Sequence, residues 1–156
     1  MKLSTRGKYG IKALFELALQ GRDQPVPLRV IAERQGLSCS YLEQLIGVLK
    51  RAGLVRSVRG AHGGYVLAQS PDKVTVGDVI RALEGPIGPC ECATEGVSEP
   101  AQHCGRPEQC VARGVWEKIR DTVVEVLDAI TLEDLCRQHG ARENSTYRAE
   151  GVDGLA

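Results

Sequence analysis

The fold is decided by residues 28–67, LRVIAERQGLSCSYLEQLIGVLKRAGLVRSVRGAHGGYVL. Its first part predicts a short helix over Leu28–Gln35, which Gly36 stops. A second helix is expected to open at about Ser40, which has Glu43 three positions on, as in a capping box. One face of that helix is apolar, with Leu42, Leu45, Ile46 and Leu49 at helical spacing. Two helices joined by a short Gly-containing turn are typical of a helix-turn-helix.

A β-hairpin is predicted directly after these helices. Beyond Gly53 the pattern changes to two strand-like runs, residues 54–58 and 65–68, separated by the Gly-rich stretch 59–64. Glycine permits the positive φ angles that such a connection needs. A hairpin in this position is the wing of a winged helix-turn-helix.

Three further helices extend the pattern outward. One is expected from about Thr5 to Gln20, and one after Thr75, a candidate cap. Further on, a long helix from Ala112 carries apolar residues that step by 3, 4, 3, 4, as in a coiled-coil seam: Trp116, Ile119, Val123, Val126 and Ile130. The predicted fold class is therefore mainly α, a winged helix-turn-helix with a small β-hairpin wing and a long dimerisation helix.

Four segments follow from this pattern. Residues 1–85 form the winged helix-turn-helix domain, and residues 86–110 form a cysteine-rich loop without usable periodicity. Residues 111–138 hold the dimerisation helix and a following short helix. The polar, Gly-containing tail, residues 139–156, is expected to be disordered.

Charge is divided unevenly along the 156 residues. The 20 basic and 20 acidic side chains give a net charge of zero, but residues 1–60 hold eleven basic against four acidic ones, a balance of +7. The remainder therefore has a balance of −7. A basic segment that coincides with a helix-turn-helix pattern favours binding to double-stranded DNA over an ordinary solvated surface.

Several classes of protein are excluded by composition and motif. The best apolar run, Ile11 to Leu19, is interrupted by Lys12 and Glu16, so we expect neither a membrane span nor a signal peptide, and a cytoplasmic protein. No paired carboxylates, Ser/His/Asp set or phosphate-binding glycine loop supports an enzyme.

The outward face of the recognition helix offers base-reading side chains. Ser40, Glu43 and Gln44 lie opposite its apolar residues, and Gln pairs well with adenine while Glu accepts from cytosine N4. Arg59, at the wing tip, suits a narrow minor groove. Phosphate contacts are expected from nearby basic side chains: Lys2, Arg6, Lys8, Lys50, Arg51 and Arg56.

Four of the six cysteines are clustered. Cys90, Cys92, Cys104 and Cys110 follow the pattern C-x-C-x11-C-x5-C. Thiolates are favoured ligands for iron-sulfur clusters and zinc, although structural zinc sites more often use C-x2-C pairs. A metal or cluster site is favoured, with redox disulfides and inert thiols as alternatives. Cys39 and Cys136 lie outside the group.

The motifs together resemble a bacterial repressor family that contains the iron-sulfur cluster regulator IscR and the cysteine-metabolism regulator CymR. The resemblance runs from about Met1 to Leu135 and is carried by MKLSTRGKY at residues 1–9, YLEQL at 41–45, GLV at 53–55, SVRG at 57–60 and GGY at 63–65. It implies a homodimer that binds a DNA operator, with contacts from Ser38, Ser40, Tyr41, Glu43, Gln44 and Arg59.

The resemblance also implies an iron-sulfur cluster, [2Fe-2S] or [4Fe-4S], held by Cys92, Cys104 and Cys110. The histidine that completes the ligand set in IscR-like relatives falls at Arg113, and the aspartate used by nitric-oxide-sensing relatives falls at Lys8. Neither side chain is a plausible ligand. Cys90 and His103 are the local candidates for the fourth position.

Two rival functions follow from the same residues. One is a cysteine-metabolism repressor without a cluster, controlled by a cysteine-biosynthetic partner enzyme. Residues 83–87, LEGPI, resemble that subgroup of repressors. The other is a small redox or electron-transfer protein that uses the same cysteines. The second rival predicts no duplex binding, whereas a repressor predicts salt-dependent binding with an operator preference.

Overall fold

The computed structural model describes residues 4–20, 24–97 and 110–150, and side chains as far as residue 141. Its helices are α1 (Thr5–Leu19), α2 (Leu28–Gln35), α3 (Cys39–Arg51), α4 (Val76–Glu84), α5 (Arg113–Ala129) and α6 (Leu132–Glu150). Two strands, β1 (Val55–Val58) and β2 (Gly64–Leu67), form an antiparallel hairpin. The predicted winged helix-turn-helix is confirmed.

The main core lies between α1, α2, α3 and α4. Leu14, Ile31, Leu45 and Leu49 are at most 1% exposed, and they meet because each helix places its apolar stripe inward. From α6, Leu132 enters the same core and is fully buried. Helices α1 to α4 are therefore held by a single apolar core.

The cap of α3 differs from the predicted one. Ser38, in an extended conformation, caps the helix, and its hydroxyl accepts the backbone N–H of Tyr41 at 3.2 Å. Ser40 instead lies inside the first turn. At the start of α4 the predicted cap is confirmed, because Thr75 and Asp78 form a reciprocal capping box.

The chain beyond α5 is more helical than its composition suggests. The prediction of a short helix after α5 is wrong, because α6 runs from Leu132 to Glu150. Residues 139–150, which are part of the expected disordered tail, therefore lie in a helix. A second capping box explains its firm start: Thr131 accepts the N–H of Asp134, and the Asp134 carboxylate accepts the N–H of Thr131. Residues 151–156 lie outside the described part.

Candidate nucleic-acid interface and cysteine segment

The exposed face of α3 carries the predicted base-reading side chains. Ser40, Glu43 and Gln44 are exposed and line an open depression of about 540 Å³. Arg6 of α1 and Arg51 at the end of α3 flank the same depression. Hydrogen-bonding groups between two guanidinium groups fit a surface that reads bases while it contacts phosphates.

Tyr41 is positioned differently from its neighbours on α3. Its half-buried ring packs edge-on against the ring of Tyr9 in α1, with centroids 6.1 Å apart and planes at 85°. This geometry suits aromatic pairs. Tyr41 therefore anchors the start of α3 against α1, while Ser38 and Ser40 beside it stay exposed.

The wing is short and fixed at its base. Arg59 is exposed at the turn that follows β1, as predicted, and Gly60 in the same turn has a φ of 123°. Lys50 of α3 donates from Nζ to the Ser57 hydroxyl on β1 at 2.8 Å. Lys50 thus fastens the wing to α3, in addition to any phosphate contact.

A buried carboxylate holds α2 in place. Glu16 of α1 is 7% exposed, and it accepts from Arg34 at 2.9 Å and from the Gln35 side chain at 2.8 Å. A buried charge needs such partners. The contact fixes the end of α2 just before the turn that leads into α3.

Two of the clustered cysteines are in contact. The sulfur atoms of Cys90 and Cys92 lie 3.5 Å apart, in a tight turn where the Cys90 carbonyl accepts from the Ala93 N–H and the Thr94 hydroxyl. Burial, followed by the neighbouring Cys92, raises the pKa of the Cys90 thiol. A cation or metal beside the pair would counter both effects.

Arg113 supplies a positive charge close to these thiols. It lies at the first position of α5, three residues after the exposed Cys110. A hydrogen bond to Glu117 raises the pKa of Arg113 most, and the charges of Cys92 and Cys110 raise it further. The position that an IscR-like histidine would occupy thus holds a guanidinium that is paired with Glu117 at 2.8 Å.

The remaining predicted ligands are distributed unevenly. Cys104 and His103 lie outside the described residues, and in the described part no three potential metal ligands converge. Cys39 is exposed at the start of α3, whereas Cys136 is partly buried. Lys8 is exposed on α1.

The predicted seam of α5 is split between two surfaces. Trp116, Ile119 and Val126 are 40%, 41% and 52% exposed, and together with Val115 they form an open apolar stripe. Val123 and Ile130 pack instead against a small core around Val76, Ile80 and Ile87. The single seam is therefore wrong, because α5 must also bury a face against α4.

Comparison with known proteins decides the family. The model of the Rrf2 family, described as iron-dependent transcriptional regulators, matches residues 3–138. The chain belongs to the Rrf2 family. It is 50% identical to the HTH-type transcriptional regulator CymR of Bacillus subtilis, over 86% of this chain and 89% of that one.

Two solved structures of the family show the same fold. The structure of CymR, named as the global cysteine regulator of B. subtilis, has a TM-score of 0.73 and 46% identity and covers 88% of this chain and 98% of its own. T. potens IscR has a TM-score of 0.71 and 47% identity, with 89% and 88% covered.

Membership in the Rrf2 family confirms the coarse functional predictions. The chain is a DNA-binding transcriptional regulator and not an enzyme, because the relatives it matches are transcriptional regulators. The redox-protein alternative is therefore wrong. In the part of the chain that the structure describes, no helix is both long and apolar enough to span a membrane.

Sequence reasoning missed one cluster of this Rrf2 chain. Arg81 of α4 donates to Glu95, at the end of the cysteine turn, and to Asp128 on α5, with distances of 2.7–3.2 Å. The partners lie 14 and 47 positions away. No local pattern signals such a pairing, since it depends on how α4 and α5 pack.

Proposed function

We propose that this Rrf2-family chain is a homodimeric, cytoplasmic repressor that reads a DNA operator with α3 and the wing and responds to an iron-sulfur cluster at the cysteine segment. The observation that carries the sensor part is the pair of sulfur atoms of Cys90 and Cys92, which lie 3.5 Å apart. A basic, polar α3 face supports the DNA-reading part.

The DNA contacts follow from exposure on α3 and the wing. Gln44 pairs with adenine and Glu43 accepts from cytosine N4 in the major groove, while Ser38, Ser40 and Tyr41 bind the adjacent backbone. Arg59 enters the minor groove. These roles fit the exposed positions of Glu43, Gln44 and Arg59.

Dimer formation is supported by the apolar stripe of α5. A single chain leaves Val115, Trp116, Ile119 and Val126 in water, each at least 40% exposed. Such contiguous apolar surface marks an interaction site. A second copy of α5 that crosses this stripe would bury it and place two α3 helices at two half-sites.

The distance between Cys90 and Cys92 supports a cluster. Two thiolates that share one tetrahedral metal at about 2.3 Å lie roughly 3.8 Å apart, close to the 3.5 Å between Cys90 and Cys92. We assign Cys92, Cys104 and Cys110 as ligands, with Cys90 favoured over His103 as the fourth. A pair on one iron favours a [2Fe-2S] over a [4Fe-4S] cluster, since each iron of [2Fe-2S] takes two protein ligands.

When bound, an iron-sulfur cluster would supply iron that oxygen or iron shortage removes. Part of its negative charge would be offset by Arg113, which lies at the start of α5, three residues after Cys110. Without the cluster, the thiols that would hold it, among them Cys110 just before α5, would be free to rearrange. Since α5 sets the spacing between the two α3 helices, operator affinity changes.

Anaerobic purification tests the sensor. We expect visible absorbance with stoichiometric iron and acid-labile sulfide, lost in Cys92→Ser, Cys104→Ser and Cys110→Ser, and kept in the matched control Cys39→Ser. A colourless, iron-free protein that still binds a duplex selected from a random library would contradict the cluster and leave the DNA-reading proposal intact.

The second candidate is a repressor controlled by a cysteine-biosynthetic enzyme, without a cluster. The 50% identity to CymR, whose B. subtilis structure is named for cysteine regulation, favours it. Affinity capture with such an enzyme separates the two. If the enzyme binds the iron-free chain and changes its operator affinity, this candidate is supported. If the enzyme does not bind the chain, this candidate is excluded.

A further inference from the structure

Arg81 lies where three parts of the molecule meet. Its guanidinium forms a two-point contact with Glu95, Nε to Oε2 at 3.0 Å and Nη2 to Oε1 at 2.8 Å. A second two-point contact joins Nη1 and Nη2 to the carboxylate of Asp128, at 2.7 and 2.8 Å. One side chain of α4 therefore ties the cysteine segment to α5.

The fit between α4 and α5 is specific at this point. A Cβ at Gly77, one turn before Arg81, would overlap the Asp128 carboxylate. Glycine at this position lets Asp128 approach α4 closely enough to meet Arg81. A planar guanidinium with several donors can serve two carboxylates at once, which an ammonium group cannot do with the same geometry.

Glu95 carries the connection into the cysteine turn. Its carboxylate also accepts the backbone N–H of Ile87 at 2.9 Å, and its own N–H donates to the Ile87 carbonyl at 2.9 Å. These bonds close residues 87–95 into a loop that contains Cys90 and Cys92. Ile87 is 3% exposed, so the loop is anchored in the small core as well.

The opposite side of α4 belongs to the DNA-binding domain. Val79 and Leu83 lie in the main core with Leu45 of α3. Just after them, Glu84 accepts the N–H groups of Ser4 and Gly7, both at 3.0 Å, at the start of α1. A shift of α4 therefore moves the helices that face DNA.

We propose that Arg81 is the positioning residue that couples the cysteine segment and α5 to the DNA-binding helices. This inference rests on the proposed function for its DNA ligand, but it does not require a cluster. By linkage, DNA binding must then stabilise the closed cysteine loop as much as loop closure strengthens DNA binding.

Amide hydrogen exchange tests the coupling in full-length, metal-free protein. The probes are the hydrogen-bonded amides of Ile87, Ala93 and Glu95, whose exchange reports loop opening. With a duplex selected from a random library, we expect their exchange in the wild type to slow about fivefold or more. In Arg81→Met the duplex should leave the exchange rate of these amides unchanged, and in Arg81→Lys it should slow their exchange only in part.

Two further variants make the test decisive. Glu95→Gln keeps the contact between Arg81 and Asp128 but weakens the contact between Arg81 and the loop, so the duplex should not slow loop exchange in this variant either. This variant provides the test if Arg81→Met does not fold. Arg137→Met is the matched control, because Arg137 binds only Glu133 and Asp134 on its own helix among the ion pairs observed. Equal slowing in wild type and Arg81→Met, or no slowing in the wild type, overturns the coupling.

Failure of this coupling is distinguishable from failure of the proposed function. The exchange measurement uses protein without metal, so an iron-free, colourless chain leaves its outcome unaffected. If a cluster forms normally and the duplex still slows loop exchange in Arg81→Met, the proposed cluster sensor stands and Arg81 does not couple it to the DNA-binding helices.

Discussion

The DNA-facing half of the chain and the half that holds the cysteines and α5 differ in how much apolar surface they bury. In the first, the apolar faces of α1 and α3 meet in one core, and the polar face of α3 is left for a ligand. In the second, α5 has no fully buried residue and exposes Trp116 and Ile119. One half buries its apolar faces within a single chain, whereas the other leaves an apolar stripe of α5 exposed.

The difference teaches where stability and response are separated. Local unfolding and regulation use parts with few buried contacts, because such parts rearrange at small cost. Helix α5, which has no buried residue, meets that description, and α4 connects it to the stable core. Substitutions in each half and at the junction between them test this separation of the stable core from the responsive part.

A core substitution should damage the first half strongly. Leu45→Ala removes a side chain that is 1% exposed, so we expect the free energy of unfolding to fall by about 2–5 kcal/mol in urea denaturation. Val111→Ala, at a position 96% exposed, is the control and should change it by about 0.5 kcal/mol or less. Similar losses from both would erase the contrast.

A charge on the α5 stripe should separate the two copies. Ile119→Glu places a carboxylate among apolar side chains that the dimer would bury, and we expect a monomer in sedimentation velocity with unchanged helical circular dichroism. Affinity for a two-half-site duplex should fall about tenfold or more, since each copy then binds alone. A persistent dimer would refute the assignment of the stripe.

Reading of bases should depend on Gln44. Gln44→Ala is expected to weaken binding to a selected operator by about 1–3 kcal/mol and to relax preference at one adenine. Arg51→Ala should instead weaken binding to all duplexes and reduce the salt slope by about one. The same competition titration with operator and random duplexes checks both variants, and a uniform loss for Gln44→Ala would argue against base reading.

Acid should weaken the junction at α4 more than the core. Hydrogen bonds from Arg81 lower the pKa of Glu95 and of Asp128. A lowered folded-state pKa contributes stability that is present above the ordinary carboxyl pKa and is lost as pH falls through the folded value. Between about pH 6 and pH 3, the wild type should therefore lose more unfolding free energy than Arg81→Met. Parallel pH profiles would contradict the two-carboxylate contact.

Local signals explain what could be predicted from the sequence. The helices α2, α3 and α4 and the hairpin follow from apolar spacing and glycines, and exposure of Glu43, Gln44 and Arg59 follows from the same spacing. The expected cap of α3, Ser40, lies two residues beyond the actual one, Ser38, because both serines are suitable caps. Only the backbone geometry shows which hydroxyl reaches an N–H.

Long-range packing explains the rest. The split of the α5 stripe depends on α4, which takes Val123 and Ile130 against its own apolar residues. The Arg81 contacts join residues up to 47 positions apart. Two sulfur atoms at 3.5 Å could be expected from C-x-C, but the closure of the cysteine turn by Glu95 and Ile87 could not.

The most direct test of the account measures operator affinity of one anaerobic preparation before and after its iron is removed by a chelator. We expect visible absorbance and bound iron at the start, and an operator affinity that changes about fivefold or more on iron removal in the wild type and much less in Arg81→Met. An iron-containing wild-type protein whose affinity does not change would contradict it.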